Sequence, residues 1–471
     1  MSGKNFPFQI ITLALFIGLI VPVAIQDGMF MDGLIYACVA KNLANGLGTF
    51  WDPYFSASFN TSFHEQPPLF FGLESIFFRL FGDSIYVERL FSLLMGCITA
   101  YFIHLIWKLV HRSDTDIQQV SWFPILLWTI TPVCFWGYAQ NVEETIMGAF
   151  VAGSVYFILQ AITKSSIPFL MLGGIFIFLS SFCKGIQGLF PITSVFIYWL
   201  ITKNISLKKM LSFSIILISI PTVIYLLLFT HDPVIASYNA YFQDRLVGTF
   251  KTENMATTTN RLYLVYRLLC ELLPAIAICI LIAIINNRYK TPKLTNPNLK
   301  IVVFFILLGL SGSIPLIVTL EQRGFYLITS IPYFSIGLAM ISSTKLIALL
   351  EKISITSRGF KILRITSIIL LIVALSLSGL MLGKTKRDHD VLHDVYLIGE
   401  TIPKFSIIGV PYEIRSIWAL QGYFVRHFNI GLDASAQNHK YFMIEKKSIP
   451  PKNYKEMQLD LKRFRILEKI Y

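Results

Sequence analysis

The sequence predicts a polytopic α-helical membrane protein, and three observations predict it. Apolar residues make up 55% of the chain and charged residues only 14%, against about 25% charged in ordinary soluble domains. Apolar runs of about 20 residues, the length that crosses a bilayer core of roughly 30 Å, recur through residues 1–383 and stop there. The 40 Lys and Arg outnumber the 27 Asp and Glu, for a net charge of +13, but the excess is dispersed along the chain. That composition excludes a disordered protein, a small disulfide scaffold and a nucleic-acid binder with its charge on one compact face.

Eleven spans follow from windows of about 19 residues: near 8–26, 87–110, 120–139, 145–163, 167–182, 187–202, 211–230, 268–285, 301–319, 327–345 and 365–383. The first follows Lys4 and lacks a small-residue cleavage site, so it reads as an uncleaved span. Cys38, Cys97, Cys134, Cys183, Cys270 and Cys279 are scattered with no CxxC or Cys/His grouping, which argues against a disulfide framework or a thiolate zinc site.

Orientation follows from Lys and Arg. With the N-terminus in the cytoplasm, the short inner loops hold Lys4, Lys108, Arg112, Lys203, Lys208, Lys209, Lys290, Lys293 and Lys352 among others, and the outer segments hold fewer cations over greater length. The bias places the tail outside. Two outer loops are long, 27–88 and 231–267. The first carries semi-apolar, aromatic-rich segments at 33–46 and 67–82, expected as helices lying at the membrane interface. The domain division expected is a membrane domain, 1–383, and a small soluble α/β domain, 384–471. In the latter, Ser406–Val410 and Tyr441–Ile444 read as strands and Glu413–Phe428 as a helix.

Ionisable residues near a membrane are expensive and therefore informative. The outer ends collect Asp27, Asp32, His64 and Glu65, the pair Glu143–Glu144 in a short turn, Lys184 in another, and then Arg245, Arg261, Arg267, Glu321 and Arg323. Acids there can take a proton from a nucleophile, and cations can hold a phosphate. Each also has a plainer reading: Asp32 as a helix cap, Lys184 as a snorkelling lysine, and the glutamates as a turn that suits a helix dipole.

The first long loop reads Met31-Asp32-Gly33-Leu34-Ile35-Tyr36, then Ala40-Lys41-Asn42-Leu43, Gly48-Thr49-Phe50-Trp51-Asp52-Pro53 and His64-Glu65-Gln66-Pro67-Pro68-Leu69. In order and spacing this resembles the family 39 glycosyltransferases of the GT-C superfamily, which include lipid A aminoarabinose transferases and protein O-mannosyltransferases. Asn141-Val142-Glu143-Glu144-Thr145 falls where that family has a second acidic residue. Cys183-Lys184-Gly185 through Pro191 is similar to its Lys-Gly…Gly…Pro turn, and Arg323-Gly324-Phe325-Tyr326 with Pro332 to its late Arg/Lys…Tyr…Pro segment. Two positions depart from the pattern: Gly33 stands where the family has Glu, and Gln66 where it has Lys.

The resemblance implies a GT-C membrane fold and transfer of a sugar from a polyprenyl-phosphate donor to a lipid, glycan or protein acceptor at the outer face of the membrane. It implies Asp32 as the catalytic carboxylate, with Glu143 and Glu144 as further acids. Tyr36, Lys184, Arg261, Arg323, Tyr326 and Gln66 are then the donor- or phosphate-binding set. A divalent metal at His64 and Glu65 is a further expectation, resting on two adjacent ligands. Direct displacement would invert the anomeric centre. The competing class is a transporter or flippase of a lipid-linked sugar, which typically shows internal repeats and midplane charges. This chain shows neither.

Overall fold

The computed structural model describes residues 2–247, 257–289, 297–435 and 439–470. The inner-loop cations Lys290 and Lys293, and residues 248–256 of the second long loop, lie outside the described residues. Two compact units emerge: Met1–Ala24 with Ser92–Leu382, and Ile25–Phe91 with Gly383–Tyr471. The division drawn at residue 383 thus changes, because the first long loop groups with the tail rather than with the spans.

Nine helices among the described residues are long and apolar enough to cross a membrane: Gly3–Ala24, Val87–Val110, Glu144–Lys164, Ile167–Thr202, Leu207–Leu228, Tyr263–Arg288, Leu299–Val318, Ile331–Lys352 and Arg358–Met381. The protein is a multi-pass membrane protein. The difference from eleven has two sources. Segment 120–139 is broken into Trp122–Thr129 and Pro132–Tyr138. A residue before proline avoids the helical region, and Thr131 is extended, with φ −69° and ψ 122°. The stretches 167–182 and 187–202 join as one run of 36 residues. A straight helix of that length would reach roughly 54 Å, well past the bilayer core. The run instead ends its α-helical part at Lys184, turns at Gly185 with φ +76°, and continues as a 3-10 helix through Thr193.

Within the first unit, the Glu144–Lys164 and Ile167–Lys184 helices form a hairpin closed by Ser165, which takes the left-handed conformation at φ +53°. Ile158, Leu170, Ile177, Val195, Phe213 and Leu217 share the core between this hairpin and its neighbours. Ser206, Asn298 and Ser357 cap the helices that follow them, each accepting a hydrogen bond from a first-turn backbone N–H, which satisfies donors that a helix start leaves orphaned. Outward-facing Leu226, Leu227, Ile280, Ile284, Ile369 and Ile372 remain exposed, as lipid-facing positions must.

The second unit is built on a five-stranded sheet, in spatial order Gly431–Asp433 (β2), Ile407–Gly409 (β1), Tyr441–Glu445 (β3), Phe464–Lys469 (β5) and Tyr454–Glu456 (β4). Strand β1 (Ile407–Gly409) runs parallel to β2 (Gly431–Asp433) and β3 (Tyr441–Glu445), with Ile408 opposite Leu432 and Tyr441. Strands β4 (Tyr454–Glu456) and β5 (Phe464–Lys469) add an antiparallel edge. The two expected strands are β1 and β3, and the expected helix is Tyr412–Arg415 followed by Trp418–Phe428. The helix His389–Thr401 and the strands β2, β4 and β5 are not among the expected elements, although Val391, Leu392, Val395 and Ile398 give that helix one buried face.

The loop helix Met31–Ala44 is buried from Gly33 through Leu43. It is a core element rather than an interfacial one, because it packs against Leu69–Phe81 and Trp418–Phe428. Its Leu34 and Ala37 join Leu392, Ile408, Phe424 and Ile466 in one hydrophobic core. Full burial of a side chain such as Leu34 contributes about 1.5–3 kcal/mol. The second loop helix, Leu69–Phe81, does keep an apolar exposed side at Ile76, Leu80 and Phe81.

Candidate active site

In the first unit, the hairpin places an acid pair beside a lysine. Asn141 adopts the left-handed conformation, φ +54°, a conformation that Asn tolerates better than most residues. It reverses the chain between Pro132–Tyr138 and the helix that begins at Glu144. Glu143 and Glu144 therefore sit at a helix N-terminus, where the dipole favours negative charge. The hairpin then returns the chain to the same level, so Lys184 ends its helix next to Glu144's start. Lys184 Nζ lies 2.7 Å from Glu144 Oε1 and 3.4 Å from Glu143 Oε2. Both carboxylates are fully buried and the lysine side chain is 9% exposed.

Around this triad stand polar and aromatic groups from the later turns. Lys184 Nζ is 5.1 Å from the centre of the Tyr326 ring. The Gln187 side-chain amide donates to the Tyr326 carbonyl at 2.9 Å. Tyr326 Oη donates to Glu321 Oε1 at 3.5 Å, and Arg245 Nη2 pairs with the same carboxylate oxygen at 2.9 Å. A Cβ on Gly185 would collide with the Tyr241 hydroxyl, so the glycine is required here for space as well as for its positive φ. Burial pushes the Tyr326 phenol up, with Lys184 pulling the other way. Burial, with Glu143 adding to it, pushes Tyr241 up to about 12. Both phenols are therefore neutral hydrogen-bond donors near pH 7.

Next to Gly185 and Tyr241 opens a mostly apolar cavity of about 330 Å³, lined also by Leu189, Tyr225, Leu226 and Phe229. Of the other expected cations, Arg261 is exposed and donates to the Val318 carbonyl. Arg323 is exposed and makes no ion pair among the described residues. Sequence reasoning named Arg245 and Glu321 among the outer charges but missed their pairing beside Tyr326. It also missed Gln187 and Tyr241. A polar residue inside the Lys184–Pro191 turn and the Tyr-rich 238–241 stretch were the available signals.

The second unit holds the remaining expected residues. Asp32 is half-buried in the first turn of its helix, and the N-cap position belongs to Phe30. Tyr36, one turn later on the same face, is buried edge-on against Phe70, at 5.7 Å between ring centres, and beside Phe71 at 5.8 Å. Gln66 is buried just ahead of Pro67-Pro68, which lead into that phenylalanine-bearing helix. His64 Nε2 faces Asp52 Oδ1 at 3.2 Å. Among the described residues, no three His, Cys, Asp or Glu side chains come together as metal ligands. A metal at His64 and Glu65 would therefore need the remaining ligands from substrate phosphate or water.

Residues 65–229 match the family model described as dolichyl-phosphate-mannose-protein mannosyltransferase. No curated protein matches the sequence. Among solved structures, ArnT from Cupriavidus metallidurans, crystallised with undecaprenyl phosphate, matches with a TM-score of 0.65 over 97% of this chain and 97% of that one, at 12% identity. The chain has the ArnT fold. The oligosaccharyltransferase of Archaeoglobus fulgidus in its apo form matches with a TM-score of 0.53 over 94% of this chain and 70% of that one, also at 12% identity. The complex of that protein with Zn and sulfate gives 0.50 over 91% and 62%, at 13% identity. The likeness in fold to ArnT thus covers almost the whole chain, well beyond the first loop.

Proposed function

We propose that the protein is an integral-membrane glycosyltransferase that moves a sugar from a polyprenyl-phosphate donor to an envelope acceptor on the outer face of the cytoplasmic membrane. The observation that carries the reading is the likeness, over nearly all of both chains, to an ArnT crystallised with undecaprenyl phosphate. The match of residues 65–229 to a dolichyl-phosphate-mannose transferase model supports it independently. Nucleotide sugars are not available beyond the cytoplasmic membrane, so a lipid-linked donor suits an enzyme whose acids gather at span ends.

The roles follow residue by residue. An acceptor oxygen attacks the anomeric carbon, and the bond from that carbon to the lipid-phosphate oxygen breaks with its electron pair left on the phosphate. Asp32 takes the proton of an acceptor hydroxyl. Displacement from the opposite side inverts the anomeric centre. Lys184, shared between Glu143 and Glu144, holds those acids in place rather than serving the phosphate alone. Arg323, exposed and outside any ion pair among the described residues, is the better cation for the leaving phosphate, with Arg261 second. Tyr326 supplies a neutral hydroxyl donor. The apolar cavity beside Gly185 suits the first isoprene units of the donor. Gln66, which replaces the family's lysine, contributes polarity without charge.

The test is turnover in proteoliposomes with a radiolabelled polyprenyl-phosphate sugar and an extract of envelope acceptors. Covalent transfer of label supports the reading. Transbilayer movement of intact donor without transfer would make the protein a transporter instead.

A further inference from the structure

The first unit has a second cavity, this one with polar side chains, of about 350 Å³, lined by residues that include Asn5, Gln9, His104, Lys108, Gln119 and Ser121. Every side chain lining it is polar, and none is acidic. It lies far from the Asn141–Glu144 turn. Ser92 Oγ, at the start of its helix, donates to the Tyr138 carbonyl at 2.9 Å. His104 Nδ1, three turns later, meets Ser121 Oγ at 2.9 Å. The rise of an α-helix separates those two levels by roughly 18 Å, so the cavity opens at the opposite ends of the spans.

The surroundings are basic. Lys4 Nζ donates to the Glu351 carbonyl at 2.8 Å, and Arg364 stacks over Phe6 at 5.4 Å. Lys4, Lys108, Lys352 and Arg364 thus lie at one end of the bundle, with Glu351 and Asp116 as the acids beside them. The nearby Asp114 is engaged as a helix cap, its Oδ1 accepting from the backbone N–H of Asp116 and Ile117 at 3.1 and 3.0 Å. Inside the cavity wall, Gln119 Oε1 is buried and has no hydrogen-bond partner. An acceptor left so is costly, and a turn of the amide toward the cavity would let a ligand hydroxyl or amine satisfy it. His104 keeps Nε2 available, because Ser121 occupies only Nδ1.

We propose that this cavity binds the phosphate-bearing headgroup of an anionic membrane lipid, with Lys108 facing the phosphate and Gln119 accepting from a headgroup hydroxyl. Its place at the polar ends of two candidate spans, beside the exposed apolar rings of Phe6 and Tyr101, puts it at headgroup depth with apolar surface for the acyl chains. Phosphoglycerol is the simplest headgroup that carries both functions.

The test uses the purified, delipidated full chain in detergent and reads its unfolding temperature. Dihexanoyl-phosphatidylglycerol should raise it by about 2 °C or more, and dihexanoyl-phosphatidylcholine by less. Both Lys108→Met and Gln119→Leu should lose the phosphatidylglycerol shift, so the failure of one variant to fold leaves the other to decide. Equal shifts from glycerol 3-phosphate and the lipid would overturn the proposal in favour of a soluble phosphate site. Equal shifts from the two lipids, no shift in the wild type, or an undiminished shift in the variants would overturn it outright.

Discussion

Each unit of the molecule buries a cluster of charges, and the two clusters are built differently. In the second unit, Arg426, 2% exposed, pairs with Glu88 at 3.0 Å and Asp83 at 2.6 Å, while Lys41 reaches Asp83 at 3.0 Å. Two cations pair with two acids, of which Asp83 is 54% exposed, and a third cation, buried Arg89, adds its charge beside Glu88. Arg426 also donates to the Ser84 carbonyl and Lys41 to the Arg426 carbonyl. Burial disfavours the Arg426 charge, but Glu88 and Asp83 outweigh it and raise its pKa. Burial lowers that of Lys41, Arg426 adds to it, and Asp83 opposes both. In the first unit one cation, Lys184, serves two buried acids. A matched network fixes a fold; a triad with more acid than base keeps negative charge ready for chemistry. The two clusters differ in their balance of charge, and the roles expected from that difference are structural for the second unit's cluster and chemical for the first unit's.

The largest effect expected is on the matched network. Arg426→Met leaves Glu88 buried beside Asp83 without its guanidinium, and should destabilise the fold by about 3–5 kcal/mol, the scale for removing one partner of a buried pair. Thermal unfolding in detergent measures it. A change under about 1 kcal/mol would mean that the network is not structural.

A pH effect should follow in the same unit. Burial, reinforced by the neighbouring Arg426 charge, pushes His427 down to about 4, below its ordinary value of 6.5. The unfolded chain then binds a proton that the folded one refuses. This contribution is complete above pH 6.5 and is lost as pH falls toward 4, amounting to up to roughly 3 kcal/mol. Acid unfolding of wild type against His427→Asn checks it. Parallel curves between pH 6.5 and 4 would exclude His427 as the cause.

Asp32→Asn should lower turnover at least about 100-fold, the range for a positioned acid or base, while the unfolding temperature stays near wild type. Wild-type turnover in this variant would remove Asp32 from the mechanism. Arg323→Met should weaken donor binding by about 1.5–3 kcal/mol, the scale of a charge-assisted hydrogen bond, again without loss of stability. Donor titration on the folded variant decides, and an unchanged affinity would leave Arg323 as a headgroup anchor.

The spans are legible in the sequence because a run of some 20 apolar residues matches the thickness of a bilayer core and little else. Thr131-Pro132 breaks one of them, but the apolar run across it still reads as one span, 120–139. The grouping of the first loop with the tail is not, because it joins segments that lie far apart in the chain. Nor can strands as short as Tyr454–Glu456 be seen, with only three residues and an exposed middle. Asp32, Tyr36 and Gln66 stand out through a spaced motif, and Glu143, Glu144 and Lys184 through their cost near a membrane. What the sequence does not say is that the hairpin closed at Ser165 brings Lys184 onto both glutamates. That pairing depends on helices of similar length, 21 and 18 residues, and on packing, and it sets the lysine against the acids.

The most direct test of the contrast is a matched pair of neutralised acids, Glu144→Gln and Glu88→Gln, each measured for transfer in proteoliposomes and for thermal unfolding. The account predicts that Glu144→Gln loses at least about 100-fold in turnover with an unfolding temperature close to wild type. Glu88→Gln should unfold several degrees earlier, with turnover per folded molecule preserved. The reverse pattern, an active but unstable Glu144→Gln beside a stable but inactive Glu88→Gln, would contradict it.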